Sequence, residues 1–227
     1  MNRLHTETRV GLLGGTFDPV HLGHLAAARA VLGQLHLDRV LFIAAPLPPH
    51  KLTYSITPFA DRLAMLELAL ASEPNFEVSD LEADRSGPSF TIDTLAGLRA
   101  HLGPEPEIFF IIGLDAFREI DTWKSYGALV RHAHLVVLGR PPYPADLLAE
   151  VIARFFPNHQ ADSSQNTWTD PEARGRIHLV TMEPMDISST MIRSKVAKGE
   201  GISGLTLASV AGFADRHNLY REEGRRL

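Results

Sequence analysis

Residues 14–24, Gly14-Gly15-Thr16-Phe17-Asp18-Pro19-Val20-His21-Leu22-Gly23-His24, bring three glycines, a proline and two histidines three apart into one stretch. An apolar run, Val10-Gly11-Leu12-Leu13, leads in, and an Ala/Leu-rich stretch that reads as helix follows. A strand, a glycine turn and a helix N-terminus make an anion site, because free backbone N–H groups and the positive end of the helix dipole converge there. Two imidazoles at the same point add donors that can follow charge as it builds on a phosphate. A second cradle sits far along the chain. Ile187-Ser188-Ser189-Thr190-Met191-Ile192-Arg193 places hydroxyls at a helix N-terminus with a guanidinium one turn inside. Ser-Ser-Thr alone reads as an ordinary helix cap, and so does either histidine alone, but the full glycine–histidine string between strand and helix does not. Together they point to nucleotide chemistry.

The elements that must hold these residues alternate along the chain. Val10–Leu13 predicts a first strand, Leu22–Leu35 a helix, and Arg39–Ala44 a second strand. Pro46-Leu47-Pro48-Pro49 breaks both regular patterns. Thr57 as cap and Pro58 at the first helical position predict a helix to about Ala71. Phe76–Ser79 predicts a short strand, and Thr91 or Asp93 starts a helix that Gly103-Pro104 ends. Ile108–Ile112 and Leu135–Leu138 are continuous apolar runs, and Ile177-His178-Leu179-Val180 reads alike apart from its histidine, as expected of strands buried on both faces. Ser188 or Ser189 caps a helix to about Lys198, and Ala208–His217 forms a last one. This alternation predicts an α/β fold: a single doubly wound domain over 1–227, with a largely parallel sheet, helices on both faces and a short C-terminal helical segment. Ligands on such sheets lie beyond the carboxyl ends of the strands, where the glycine turn, Gly113 and Gly139 all fall. The stretch at about 141–175 is expected as a surface excursion.

Composition narrows the classes of function. With 227 residues, 44% hydrophobic and 22% charged, the chain suits one sizeable core. A net charge of −5 disfavours a general grip on nucleic acid but permits a local basic cleft. The absence of cysteine removes disulfides, thiolate metal sites and cysteine nucleophiles. The first eight residues lack a signal-peptide apolar stretch, and no apolar segment approaches the roughly 20 residues of a membrane span. A soluble cytoplasmic protein without membrane or nucleic-acid partners is the expectation. Its oligomeric state stays open, a homo-oligomer included.

The Gly-Thr-Phe-Asp-Pro-Val-His-x-Gly-His string resembles the signature of the nucleotidyltransferases with the (H/T)xGH motif, and residues 187–193 resemble their ISSTxIR element. Within that superfamily the chain is similar to the bacterial nicotinate-nucleotide adenylyltransferases. Pro48-Pro49-His50-Lys51 resembles their PPHK element. Residues 88–95 resemble PSYTIDTL, with Phe90 in place of Tyr. Gly113-Leu114-Asp115 followed by Trp123 resembles their GxD…W segment, and Arg140-Pro141-Pro142-Tyr143 resembles RPGY with Pro142 in place of Gly. The matches run from Val10 to about Tyr220.

The resemblance implies a Rossmann-like fold and adenylyl transfer from ATP to nicotinate mononucleotide, giving deamido-NAD and pyrophosphate in NAD biosynthesis. It implies that His21, His24, Lys51 and Arg193 act on the phosphates. Gly14, Gly15, Thr16, Phe17, Gly113, Asp115, Arg140, Ile187, Ser188, Ser189 and Thr190 join His21, His24 and Arg193 in binding ATP. Thr16, His50, Lys51, Thr91, Trp123 and Lys124 are implied to bind the mononucleotide. Mg²⁺ is expected on the ATP phosphates, with no metal ligands from the protein. Asp18 reads as an organiser of its turn. Three other readings compete: a sister transferase with another acceptor such as nicotinamide mononucleotide, a non-catalytic ATP-binding sensor, and a metal hydrolase using His21 and His24 as ligands. On the transferase reading His24→Ala loses at least a hundredfold in turnover, the scale of one preorganised donor, roughly 2.7–4 kcal/mol. Steady-state turnover of that variant measures it, and a near-normal value removes His24 from the role.

Overall fold

Strands buried on both faces build the molecule from its centre. In the computed structural model, which describes residues 8–47, 56–83, 87–139, 145–164 and 166–221, the elements run β1 (Arg9–Gly15), α1 (Leu22–Gln34), β2 (Arg39–Ala44), α2 (Phe59–Leu70), β3 (Phe76–Ser79) and α3 (Thr91–Leu102). They continue with β4 (Glu107–Gly113), α4 (Leu114–Phe117), β5 (His134–Gly139), α5 (Ala145–Phe155), β6 (Gln160–Ala161) and β7 (Thr167–Thr169). β8 (Ile177–Thr181), α6 (Ser189–Ala197) and α7 (Ala208–Arg216) complete them. Two short 3₁₀ turns, Ile120–Thr122 and Tyr126–Arg131, link α4 to β5. No described helix is long and apolar enough to cross a membrane.

The eight strands form one sheet in the order β3-β2-β1-β4-β5-β8-β7-β6. All pairs from β3 to β8 are parallel, and β6 and β7 add an antiparallel edge. Residues of one parity, such as Leu12, Ile43, Phe110 and Val137, face a core closed by α3 and α5. Those of the other parity, such as Leu13, Phe42, Ile111 and Val136, face a core closed by α1, α2 and α7. Burial on both faces is why the central strands β1, β2, β4 and β5 read as near-continuous apolar runs. The direction of winding reverses at β1, which has β2 on one side and β4 on the other. The crevice of such a sheet opens there, beyond the carboxyl ends of β1 and β4.

Two sequence expectations shift. Helix α2 begins at Phe59, with Pro58 rather than Thr57 in the capping position. The reason is that Thr57 is held elsewhere: its N–H donates to Asp18 Oδ2 at 3.3 Å and its carbonyl accepts from Arg62 Nε at 2.9 Å. The segment after residue 141 also has an inward side. Leu148 and Ile152 of α5 and Trp168 of β7 pack into the first core. Gly175 permits this closure, because a Cβ there would stand 2.1 Å from the carbonyl oxygen of Ala133.

At the opposite rim of the sheet, His134 stacks on Phe109 with centroids 4.6 Å apart and accepts the Arg176 N–H at 3.1 Å. His178 lies beside it, with Nδ1 3.3 Å from the Thr167 hydroxyl. Burial lowers the His178 pKa from its ordinary 6.5 to about 4, helped by the neighbouring His134, Arg176 and Arg9 and opposed by Asp162. Burial also lowers that of His134, against the pull of Glu107. Between those two pH values the unfolded chain takes up a proton on His178 that the folded chain refuses, so stability falls as pH drops from 6.5 toward 4. His178→Gln should flatten that slope, measured as the urea midpoint against pH.

Candidate functional site

The turn after β1 is wound so tightly that a side chain folds back beneath it. Phe17 has φ +47°, in the left-handed region, and a Cβ on Gly15 would meet its ring at 3.0 Å. The ring is 1% exposed and packs edge-on against His24, with centroids 5.0 Å apart, and against Phe42. Phe17 was expected among the ATP-binding residues. Its side chain packs into the second core. Gly14 opens onto free space instead, with nothing within 4 Å of a Cβ placed there. Asp18, 4% exposed, accepts the Tyr220 hydroxyl at 2.8 Å and the Thr57 N–H at 3.3 Å. It organises the turn, as its residue type suggested.

His21 caps α1, and His24 is the third residue inside it. The two form a reciprocal capping pair in which the His21 N–H donates to His24 Nδ1 at 3.2 Å. Their rings stack with centroids 3.6 Å apart at 25°. An Nδ1 that accepts leaves the neutral imidazole's proton on Nε2, so His24 is set as an Nε2–H donor. The first turn of α1 carries no acidic residue, so the positive end of its dipole is not neutralised from within.

The distant hydroxyl–arginine string meets this turn. Ser188 caps α6 by accepting the Met191 N–H at 3.1 Å. Ser189 then donates its hydroxyl to the Pro19 carbonyl at 2.9 Å, and Arg193 donates Nη1 to the Asp18 carbonyl at 2.7 Å. A Cβ on Gly23 would lie 3.9 Å from the Ile187 carbonyl, so the start of α6 also abuts α1. The N-termini of α1 and α6 share one floor. Arg193 is thereby partly a clamp, since its Nη2 also donates to the Thr190 hydroxyl at 3.2 Å.

Beside that floor lies a cavity of about 220 Å³. Gly14, Gly15 and Thr16 form one wall, and Thr91, Trp123 and Lys124 form part of the other. The Trp123 indole stands edge-on to Phe110, with centroids 6.1 Å apart. The Trp123 N–H donates to the Ile120 carbonyl at 3.0 Å, so it is committed within the turn. Lys124, expected on the mononucleotide, pairs with Asp93 at 2.9 Å and rests over the Phe90 ring at 4.8 Å. Phe90 gives α3 no side-chain cap. Thr91, the first residue of α3, lines this wall, while the Asp93 and Thr94 N–H groups donate to the Phe90 carbonyl at 3.0 and 3.2 Å.

Gly113 ends β4 and precedes α4, on which Asp115 sits exposed in the first turn. His50, Lys51 and Arg140 lie outside the described residues. Sequence reasoning missed Glu82, a buried carboxyl on the cavity wall that accepts the Thr94 hydroxyl. One acid in the polar stretch 80–85 carries no mark that separates it from its neighbours.

The cytidylyltransferase-like family matches residues 12–195. The protein of Moorella thermoacetica named "Probable nicotinate-nucleotide adenylyltransferase" is 39% identical over 221 residues, covering 97% of this chain and 95% of its own. One of the same name from Syntrophotalea carbinolica is 40% identical over 222 residues, covering 96% and 99%. Among solved structures, Plasmodium falciparum nicotinic acid mononucleotide adenylyltransferase complexed with NaAD matches with a TM-score of 0.72 at 18% identity, over 94% of this chain and 97% of that one. That likeness is one of fold.

Burial and the adjacent Asp18 charge push the Tyr220 phenol far above its ordinary pKa, so it stays a donor throughout the neutral range. Tyr220→Phe takes this donor from a buried carboxylate and should cost about 1–3 kcal/mol of folding stability. Urea unfolding of the variant beside the parent chain checks it.

Proposed function

Because the chain belongs to the nicotinate-nucleotide adenylyltransferase family, within the cytidylyltransferase-like group, we propose that it transfers the adenylyl group of ATP to nicotinate mononucleotide. The products are nicotinate adenine dinucleotide and pyrophosphate. The carrying observation is the docking of α6 on the turn before α1, which points two helix N-termini at one place beside the cavity. On this reading the whole chain serves as one nucleotidyltransferase domain, working in the cytoplasm on small-molecule substrates.

The acceptor's phosphate oxygen forms a bond to the α-phosphorus of ATP while the bond from that phosphorus to the β-bridging oxygen breaks. A phosphate monoester carries about −1.5 to −2 charges at neutral pH, so no general base is needed to prepare it. Acceleration then comes from alignment and from donors that meet the charge moving onto pyrophosphate. His24, with its proton held on Nε2 by the His21 N–H, is the first such donor. His21 is the second. The backbone of Gly14, Gly15 and Thr16 lets the triphosphate approach, and Ser188, Ser189, Thr190 and Arg193 flank it from α6. Lys51 and Arg140 keep the phosphate roles that their motifs imply, His50 and Lys51 bordering the acceptor, while Gly113 and Asp115 suit the nucleoside beyond β4.

Both Asp18 carboxylate oxygens already accept protein donors, which supports a Mg²⁺ ion held by phosphate and water oxygens rather than by this turn. The ion supplies charge neutralisation along the triphosphate. In the cavity, Trp123 offers a face for the pyridine ring. The N–H of Thr91 at the start of α3, rather than the committed Trp123 amide, suits the nicotinate carboxylate. A neutral donor of this kind favours the acid over the amide.

Side-by-side kinetics test this. Pyrophosphate release should favour nicotinate over nicotinamide mononucleotide by about a hundredfold or more in kcat/KM. Equal rates support the sister transferase with an amide acceptor, and ATP binding without release supports the sensor. Trp123→Ala should raise KM for the mononucleotide by roughly 5- to 150-fold, the worth of one stacking contact, and leave KM for ATP nearly unchanged.

A further inference from the structure

Helix α2 presents Met65, Leu66 and Ala69 to the second core. On the same stripe, three and four residues before Met65 and Leu66, stands Arg62, which is 1% exposed and the largest fully buried side chain among the described residues. An apolar residue of similar volume at such a position is often neutral or better for stability. Burial depresses the guanidinium pKa and the Asp18 charge opposes that, so the site holds a cation at some cost.

The fork of that guanidinium reaches three separate pieces of chain. Nη1 donates to the Thr16 carbonyl at 2.7 Å, Nη2 to the Pro46 carbonyl at 3.2 Å, and Nε to the Thr57 carbonyl at 2.9 Å. Thr16 belongs to the glycine turn and lines the cavity. Pro46 follows β2, and Thr57 precedes α2; between them the sequence carries His50 and Lys51. Thr57 is tied a second time to the glycine turn through Asp18. The Phe59 ring closes the guanidinium from another side, 5.4 Å from its centre. Nε, Nη1 and Nη2 are three separate nitrogens held in one plane, so they span carbonyls that the donors of a lysine, all on one nitrogen, do not reach together.

From this geometry we infer that Arg62 is a positioning residue: it holds the glycine turn in register with the chain just after β2 and the chain just before α2, and so sets where the turn's backbone meets the reacting phosphates. This rests on the adenylyl-transfer reading above. Arg62 touches no substrate. It acts through the carbonyls of Thr16, Pro46 and Thr57.

The test compares Arg62→Lys and Arg62→Gln with the parent chain, measuring kcat and both KM values per folded molecule, with the folded fraction taken from near-ultraviolet circular dichroism. Misalignment by a fraction of an ångström should lower kcat about ten- to a hundredfold in the lysine variant. Both KM values should stay within about threefold, as expected when alignment rather than binding is lost. A folded lysine or glutamine variant with kcat within about twofold of the parent overturns the inference, whatever its unfolding midpoint. If both variants fail to fold, Arg62 belongs to folding alone and the inference also falls. A parent chain that releases no pyrophosphate with either mononucleotide sinks the adenylyl-transfer reading first, whereas an active parent with equally active variants sinks only the role of Arg62.

Discussion

Two hydrogen bonds, from Arg193 to the Asp18 carbonyl and from Ser189 to the Pro19 carbonyl, join segments 175 and 170 residues apart in sequence. Without them the early turn offers only its own helix N-terminus. With them, the positive ends of α1 and α6 face the same space. A guanidinium donating to a carbonyl is a charge-assisted bond, stronger than a neutral one and directional through its planar fork. That strength is what a contact across the whole chain needs, since nothing local helps it form.

The sheet supplies the rigidity behind this contact. Its parallel strands are covered on both faces, so the carboxyl ends of β1 and β4 are fixed by two cores. The turn after β1 adds its own anchor by burying Phe17 beneath Gly15. Polar groups then make the connections that apolar packing cannot, because only they have direction. Asp18 receives two donors, Arg62 satisfies three carbonyls, and His21 and His24 cap each other. Each is buried or half-buried at a cost that partners offset. Their concentration around one turn marks where alignment matters more than stability.

Much of the fold was readable beforehand. The strands β1, β2, β4 and β5 hold near-continuous apolar runs, β8 is apolar apart from His178, and several helices have capping residues or breakers at their ends. The short elements were not readable. α4, the two 3₁₀ turns and the pair β6 and β7 are too brief for a period to show, and Trp168 is buried because β7 pairs with β8, not because of its neighbours. In the site, the histidines and the α6 string stood out because several rare types occur close together. Glu82 and Arg62 did not, since one acid in a loop and one arginine in a helix look like surface residues until burial is known. The Phe17 ring packs into the core and Lys124 pairs with Asp93 while lining the cavity, contacts that no neighbouring residue in the sequence announces.

The amino-acid order by itself determined which stretches extend, which coil, and where groups able to handle phosphate are concentrated. Those properties depend on residues within a turn or two of each other, so they survive in one dimension. Folding in three dimensions decided which of those groups share a floor, which are consumed as internal ties, and which unremarked arginine holds the turn. The partners in those ties are largely backbone carbonyls, which every residue possesses, so no letter in the sequence distinguishes the ones that matter.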